Sequence, residues 1–484
     1  MSTIRSSGFR RVLKSALFTL FVLGARILSA QIFDNTYGTP AEIGRLTSVI
    51  PTAHGDFAAT AFRSLGGDKA FLLHLQANGA LMAVNDYGAV STPLQPLQVR
   101  ELPGGGFAWV GSDFDGAKTV PVLTVTDANG VMPISTLFRL TLPNGIASTY
   151  SLARHVEINS ADDSLVVGGD LWRQDVGRSE LWLAKLDFAL NPAWIKIVSF
   201  PQPVLLKSLQ PSRDGGVIGV GRITITDDQG FTHGQLLSIK LDAMGNLLWS
   251  YRYGVRNTGL FYDGELTDID RDPASTDARS VVTGWVSEFC PNPPVGNCDG
   301  MVSSAALLGT LNEATGVLSQ VFGLSASDSS TTAVRGTSVV EDFPRREAAV
   351  LANLSGTGVA SREGLLIRAL PGAGTVLASR RYGDGTDGAF GVDARSLESV
   401  QVGEPGYVFL LDQADSGGAT RENLVRTDLL LNSTGHCETP QPVSAAGAPV
   451  EIVRLFPTLR QGLLLNVEFS VDDFPFGAKS CDVP

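Results

Sequence analysis

The stretch that decides the fold is residues 204–254, which read VLLKSLQPSRDGGVIGVGRITITDDQGFTHGQLLSIKLDAMGNLLWSYRYG. It contains four short β-rich segments, LLKSLQ, VIGVGRI, LLSIKLD and LLWSYRYG, separated by turns that carry Gly, Asp and Asn. In the turn from Asp242 to Gly245, the aspartate side chain can accept hydrogen bonds from its own turn and the glycine can take a positive φ. The stretch therefore predicts a four-stranded antiparallel meander.

The same order of segments recurs along the chain. Counterparts of VIGVGRI occur at 55–62, 105–112, 164–170, 216–222, 280–285, 347–353 and 406–412. A counterpart of LLSIKLD with its turn follows each of them, and several fourth segments end in Tyr-Gly, as at Gly88, Gly254 and Gly383. Residues 31–436 thus hold seven copies averaging 58 residues. This repeat predicts an all-β fold, a seven-bladed β-propeller of four-stranded blades.

The two ends of the repeat region indicate how the ring closes. The seventh copy lacks a fourth segment, whereas QIFDNTYG (31–38) matches the fourth-segment pattern. We therefore expect the N-terminal strand to complete the last blade and remove an open edge. A pair of β-sandwiches has a similar strand content, but it does not require seven copies of one pattern.

The pattern DGG-VxGxG followed by IKLDxxGNxxWSxxYG resembles the secreted bacterial β-propeller repeat proteins, whose repeat is of the D-x-x-G-N-x-x-W / Y-G type. The match is close in 204–254 and partial elsewhere; Leu190, for example, replaces the turn glycine. At the level of fold the resemblance covers most of 31–436. It implies export and a propeller, and it implies little about chemistry.

The first 30 residues predict a secretory signal peptide. Arg5, Arg10, Arg11 and Lys14 precede the apolar run 16–25, which at about 1.5 Å per residue covers only half of a ~30 Å hydrocarbon core. Cleavage near Ala30 would give a secreted, periplasmic or cell-surface protein, although Leu28 is larger than the residue preferred at that place. The rival interpretation is an amphipathic start that lies on a membrane.

Composition and charge exclude several classes of protein. Hydrophobic residues make up 43% and charged residues 18%, which is unlike a disordered chain or a coiled coil. The net charge is −12, and it would be −17 without residues 1–30, so we expect no nucleic-acid partner. No other apolar run approaches 18 residues, so we expect no membrane span. The oligomeric state is left open.

The four cysteines fit an exported chain with disulfide bonds. The simplest of the three pairings joins Cys290 with Cys298, and Cys437 with Cys481. The spacings are not the short pairs that zinc sites favour. Residues 437–484 lie outside the repeat, and the runs 451–459 and 462–471 predict a β-hairpin, held to the propeller by Cys437–Cys481 as a small C-terminal β extension.

One acidic group is a candidate metal site. Asp268, Asp270 and Asp272 alternate, with Asp277 beyond, and three carboxylates so spaced can converge on Ca²⁺. Pro273 replaces the glycine of a full calcium loop and no glutamate follows at its twelfth position, so an acidic strand edge is the alternative. Calcium is the one cofactor that the sequence raises.

No catalytic motif is present: there is no G-x-S-x-G, HExxH or P-loop. The five histidines, which include His74, His155 and His233, fall at different places in different copies. The sequence therefore predicts a secreted binding or scaffold module for an extracellular glycan or protein partner. The alternatives are an enzyme with its site in the central funnel, such as a glycan hydrolase, a lyase or a quinone-dependent dehydrogenase, and a calcium-stabilised structural module.

Overall fold

A computed structural model gives the structure of most of the chain after the first 32 residues. The structure describes residues 33–37, 45–63, 69–87, 94–114, 118–131, 133–138, 150–226, 230, 232–255, 261–272, 275, 277–289, 304–326, 331–342, 344–356, 359–382, 393–414, 420–433, 438–440, 443–447, 450–461, 465–467, 471–473 and 478–480. Every regular element in these ranges is a β-strand, which confirms the all-β prediction.

The strands up to Asp428 pair in four-stranded antiparallel groups, here called units 1 to 7. The first strand that the structure describes is β1 (Phe33–Tyr37). Unit 1 contains β2 (Arg45–Pro51), β3 (Phe57–Arg63), β4 (Lys69–Leu75) and β5 (Leu81–Tyr87). Unit 2 contains β6 (Gln95–Glu101), β7 (Phe107–Phe114), β8 (Thr119–Thr126) and β9 (Ile134–Leu137). Unit 3 contains β10 (Tyr150–Asn159), β11 (Ser164–Arg173), β12 (Arg178–Asp187) and β13 (Pro192–Ser199).

The later units have the same order of strands. Unit 4 contains β14 (Val204–Pro211), β15 (Val217–Thr226), β16 (Thr232–Leu241) and β17 (Leu247–Val255). Unit 5 contains β18 (Phe261–Asp270), β19 (Arg279–Phe289), β20 (Ser304–Asn312) and β21 (Leu318–Ala326). Unit 6 contains β22 (Thr331–Asp342), β23 (Glu347–Gly356), β24 (Val359–Leu370) and β25 (Thr375–Tyr382). Unit 7 contains β26 (Asp393–Val400), β27 (Gly406–Ala414) and β28 (Thr420–Asp428), and β1 is its fourth strand.

The units form a ring because each packs on the next and unit 7 packs on unit 1. Hydrophobic clusters lie between neighbouring units, and each combines residues of both, such as Ile50 with Val99 between units 1 and 2. Leu46 and Val400 belong to one cluster and join units 1 and 7. The predicted place of the N-terminal strand is also observed, since β1 pairs antiparallel with β28. The ring therefore closes by side-chain packing, while each sheet stays open.

The repeated turn residues act as the sequence predicts. Asp242 Oδ1 accepts hydrogen bonds from the backbone N–H groups of Met244 (2.9 Å) and Asn246 (2.8 Å), and Gly245 has a φ of 77°. Leu190, which replaces this glycine in unit 3, takes a φ of 65° and is buried in the core between units. The turn therefore tolerates a leucine at positive φ where its side chain is buried in the core between units.

The aromatic residues of the fourth strands join each unit to the next. The Tyr253 hydroxyl donates to the carbonyl of Gly316 (2.6 Å), the turn glycine of unit 5. Tyr382 donates in the same way to Leu431 of unit 7 (2.6 Å). Trp249 Nε1 donates to Glu313 O (3.2 Å) of that same unit 5 turn. The repeated Tyr-Gly and Trp positions are thus contacts between units, which explains why they recur.

Each first strand carries a β-bulge at an equivalent place, which shifts its register against the second strand. In unit 4 the shift lies between Leu206 and Ser208. The second strand approaches so closely there that a Cβ on Gly221 would lie 2.0 Å from the carbonyl oxygen of Leu205. A bulge re-aims the side chains that follow it, and these are the side chains that face the centre of the ring.

The C-terminal segment 438–480, here called the belt, adds a fifth strand to each unit. Its strands are β29 (Glu438–Pro440), β30 (Val443–Gly447), β31 (Val450–Arg454), β32 (Thr458–Gln461), β33 (Leu465–Val467), β34 (Val471–Asp473) and β35 (Ala478–Ser480). They pair with units 6, 5, 4, 3, 2, 1 and 7 in that order. The belt therefore runs around the ring in the reverse of the order in which the units follow each other along the chain.

The predicted C-terminal hairpin is wrong. Its two runs contain β31 and β33, which pair with β17 and β9 and not with each other. The physical reason is that the outer strand of each unit is an edge with unpaired backbone groups. One belt strand on each edge pairs them all, which a local hairpin cannot do. The belt ends lie on neighbouring units, since Glu438 pairs with Tyr382 of unit 6 and Ser480 with Asn35 of unit 7.

Removing the belt should uncover the outer edges of all the units. We expect a chain that ends at residue 437 to lose several kcal/mol of unfolding free energy and to self-associate, because exposed edges pair with other chains. Denaturant unfolding and size-exclusion chromatography measure the two effects. A chain that lacks only 481–484 is the control. Equal stability of the two chains would contradict the role given to the belt.

The close approach at the unit 4 bulge gives a second prediction. Gly221→Ala should lower the free energy of unfolding by about 1–3 kcal/mol, because the added methyl group must displace backbone. Denaturant titration measures it. Gly177→Ala is a comparison at a glycine with open space around it, where only the positive φ of 64° opposes the change. A larger loss at Gly177 would contradict the steric explanation.

Candidate functional site

A cavity of about 450 Å³ lies at the centre of the ring, and the first strands of all the units contribute to its wall. Its lining is largely polar and includes Ser48, Arg100, Glu157, Gln210, Asp270, Glu341 and Glu398. Small-molecule sites have volumes of roughly 300–1,000 Å³. This cavity is therefore the candidate functional site.

Polar side chains around the cavity bind the backbone of the neighbouring first strand. Apart from one parallel residue pair each on β10 and β22, the first strand of a unit pairs on one side only, so its N–H groups need partners from elsewhere. The Val156 N–H donates to Gln98 Oε1 of the preceding unit (2.7 Å), and the Val339 N–H donates to Asp268 Oδ2 (2.9 Å). At the closing junction, the Val49 N–H donates to Ser396 Oγ (2.9 Å). The polar wall of the site is thus also what joins the inner edges.

The structure places the predicted calcium ligands at the end of β18 and just after it. Asp268 Oδ2 accepts from Ser338 Oγ (2.7 Å), and Asp270 Oδ2 accepts from the Glu341 N–H (2.7 Å). The N–H of Asp272 donates to Glu341 Oε2 (3.2 Å). Asp268 and Asp270 therefore join unit 5 to unit 6. In the described ranges no group of three or more His, Cys, Asp and Glu side chains is arranged to hold a metal ion, and the calcium site stays a prediction.

An arginine with two glutamates occupies another part of the wall. Arg100 Nη2 and Nε contact Glu157 Oε1 (2.6 Å) and Oε2 (2.7 Å), and Arg100 Nη1 contacts Glu398 Oε1 (2.8 Å). These side chains come from β6, β10 and β26. One guanidinium thus pairs with carboxylates of two other units, which leaves this group with one more negative charge than positive when both are ionised.

Burial shifts the pKa values of the charged groups in the wall. Desolvation raises the pKa of Glu398 to about 7, and the charge of Glu157 adds to the rise while Arg100 opposes it. Desolvation also raises the pKa of Asp268, of Asp270 and of Glu341. At neutral pH the cavity therefore holds a carboxyl group, Glu398, that readily gains or loses a proton.

No sequence pattern indicates that His155 belongs to the site. It lies on β10 and lines the cavity. Desolvation, followed by the charges of Arg154 and Arg100, lowers its pKa to about 3. It is therefore a neutral side chain at physiological pH. Only its position just after the bulge of a first strand could indicate that it lines the cavity. Locating that bulge requires the strand register of every unit.

Several predicted features lie outside the described residues. They are the signal peptide (1–30) and all four cysteines, Cys290, Cys298, Cys437 and Cys481. Cleavage near Ala30 and both disulfide pairings stay predictions. Among the residues that the structure describes, there is no helix long and apolar enough to cross a membrane.

Comparison with known proteins gives no family: no family model matches the chain, and neither does any curated protein. Among solved structures, the chain is similar to the β-propeller domain of the Trilobed protease from Pyrococcus furiosus, with 12% identity, a TM-score of 0.41, and coverage of 83% of this chain and 97% of that one. It is also similar to a GH32 β-fructofuranosidase of Bombyx mori, with 11% identity, a TM-score of 0.29, and coverage of 92% and 98%. At such TM-scores neither protein indicates what this chain binds.

The raised pKa of Glu398 gives a pH-dependent contribution to stability. Between pH 4.5 and about 7 the native carboxyl keeps a proton that the unfolded chain releases, so the free energy of unfolding falls as the pH rises. Glu398→Gln removes this contribution, and we expect the difference between parent and variant to change by up to about 3 kcal/mol across the window. Denaturant unfolding at a series of pH values measures it. A constant difference would show that Glu398 titrates normally.

Proposed function

We propose that units 1 to 7 are the blades of a closed seven-bladed β-propeller that is exported and acts as a binding module, with its ligand in the central cavity. The observation that carries the proposal is the cavity itself, which is of small-molecule size and has a polar wall built by all the units. Export is supported by the basic and apolar pattern of residues 1–30 and by the even number of cysteines.

The chemistry of the wall restricts the ligand. The described residues that line the cavity include no Phe, Tyr or Trp, so a sugar ring would be held by hydrogen bonds without aromatic stacking. Carboxylates, guanidinium groups and amides are suited to a compact polar ligand. A terminal sugar of a glycan or a side chain of a protein partner could enter such a cavity, whereas a flat partner surface could not.

One observation favours a second function. Glu398 has a pKa of about 7 and lies within an ion-pair distance of Arg100, which also holds Glu157. A carboxyl group that exchanges its proton near neutral pH is what general acid–base catalysis requires. In this alternative, Glu398 protonates or deprotonates a ligand in the cavity, and the chain is a propeller enzyme.

The test is a glycan array screened with and without Ca²⁺, using the parent chain and a variant with a filled cavity. Ser399 lines the cavity, so Ser399→Trp should fill part of it. Val176→Trp, at an exposed turn residue of unit 3, is the matched control. We expect binding by the parent and the control and loss of binding by Ser399→Trp.

Each outcome of this screen decides between functions. Binding that Ser399→Trp leaves intact would contradict the cavity as the site. Release of a product from the bound glycan, abolished by Glu398→Gln, would favour the enzyme. An empty array in both conditions would exclude a glycan ligand.

A further inference from the structure

Two buried acceptor atoms in the cavity wall have no hydrogen-bond partner among the residues that the structure describes. Glu341 is 2% exposed; its Oε2 accepts from the Asp272 N–H, and its Oε1 has no hydrogen bond. Gln210 is 8% exposed; its Nε2 donates to Arg271 O (3.1 Å), and its Oε1 has no hydrogen bond. Both residues line the cavity. Buried polar atoms are nearly always paired, so these two acceptors have hydrogen-bonding capacity left for a molecule bound beside them.

The two acceptors lie on either side of the same segment. Gln210 comes from unit 4 and Glu341 from unit 6, and between them they contact the backbone of Arg271 and Asp272 of unit 5. Asp270, also of unit 5, contacts the backbone of Glu341. The first strands of three consecutive units thus bring these groups to one side of the cavity.

This side of the cavity has carboxyl groups that form no direct ion pair among the described residues. Among the described residues, no lysine or arginine forms an ion pair with Asp268, Asp270 or Glu341. Three basic side chains of the wall form ion pairs with other acids: Arg154 with Asp170, Lys207 with Glu265 (3.1 Å) and Arg271 with Glu313 (3.6 Å). The side formed by Gln210, Asp270 and Glu341 therefore offers hydrogen-bond acceptors together with carboxyl groups that no lysine or arginine contacts directly.

We propose that this side of the cavity binds an organic cation, an alkylammonium or guanidinium group, through Glu341 Oε1, Gln210 Oε1 and the carboxylate of Asp270. This proposal rests on the central cavity being the binding site. An organic cation supplies both N–H donors and positive charge. A polyol supplies donors without charge, and a metal ion needs a convergent set of ligands, which the described residues do not form.

The test is isothermal titration calorimetry of the purified full chain with agmatine, which carries a guanidinium and an ammonium group. Mannitol and CaCl₂ are titrated separately as a neutral polyol and a metal ion. We expect agmatine to bind at least tenfold more tightly than mannitol. Glu341→Gln keeps an acceptor for the Asp272 N–H and removes the charge, so it should weaken agmatine binding about tenfold or more.

Matched variants control for folding and charge. Asp163→Asn removes one negative charge at an exposed turn residue and should leave agmatine binding unchanged. Gln210→Met removes the unpaired acceptor without changing the charge and should weaken binding severalfold. Circular dichroism and thermal unfolding show whether each variant is folded, and a misfolded Glu341→Gln leaves Gln210→Met as the deciding variant.

Several results would overturn the proposal. Mannitol binding that Ser399→Trp abolishes, without agmatine binding, would keep the cavity as a site and reject the cation. Calcium binding that depends on Glu341, without agmatine binding, would favour the metal site. Agmatine binding that Ser399→Trp leaves intact would reject both the cation site and the cavity. Absence of agmatine binding at millimolar concentration would reject the cation site alone.

Discussion

The structure depends on how the chain satisfies the edges of its sheets. Every four-stranded unit has an inner and an outer edge, and each edge presents backbone N–H and C=O groups that no strand of the unit can pair. Unpaired backbone groups that are buried cost free energy, and those that are exposed pair with other chains. The two edges are satisfied in different ways. Polar side chains of the preceding unit accept hydrogen bonds from N–H groups of the inner edge, and a belt strand pairs with the outer edge.

The side-chain hydrogen bonds at the inner edge also create the candidate site. Gln98, Asp268 and Ser396 are polar because a neighbouring backbone N–H requires an acceptor, and their positions make the centre of the ring polar. Polar side chains at the centre of the ring therefore contribute both to the stability of the fold and to the candidate binding site. The atoms left for a ligand are those that do not bind the backbone, and Glu341 Oε1 and Gln210 Oε1 are two of them.

The parts of the fold that the sequence predicts are those that depend on local chemistry. The turn at Asp242 forms within five residues, and the strands of one unit follow each other closely, so composition and spacing were enough. The belt was missed because β33 and β34 have only three residues each and pair with strands more than 300 residues away. Asp268, Asp270 and Asp272, which the sequence singles out, do line the cavity. The sequence does not indicate the contact between Arg100 and Glu398, because the two residues meet only after all the units have closed the ring.

The pairing of β1 on both sides sets the order in which the molecule can be completed. This first strand lies between β28 and β35, the last strand described. The belt strand of unit 7 therefore pairs with β1 only after residue 480 has been made. One edge of β1 therefore stays unpaired until the belt has been made. Loops of several hundred residues close there, which favours slow folding with a late, concerted final stage.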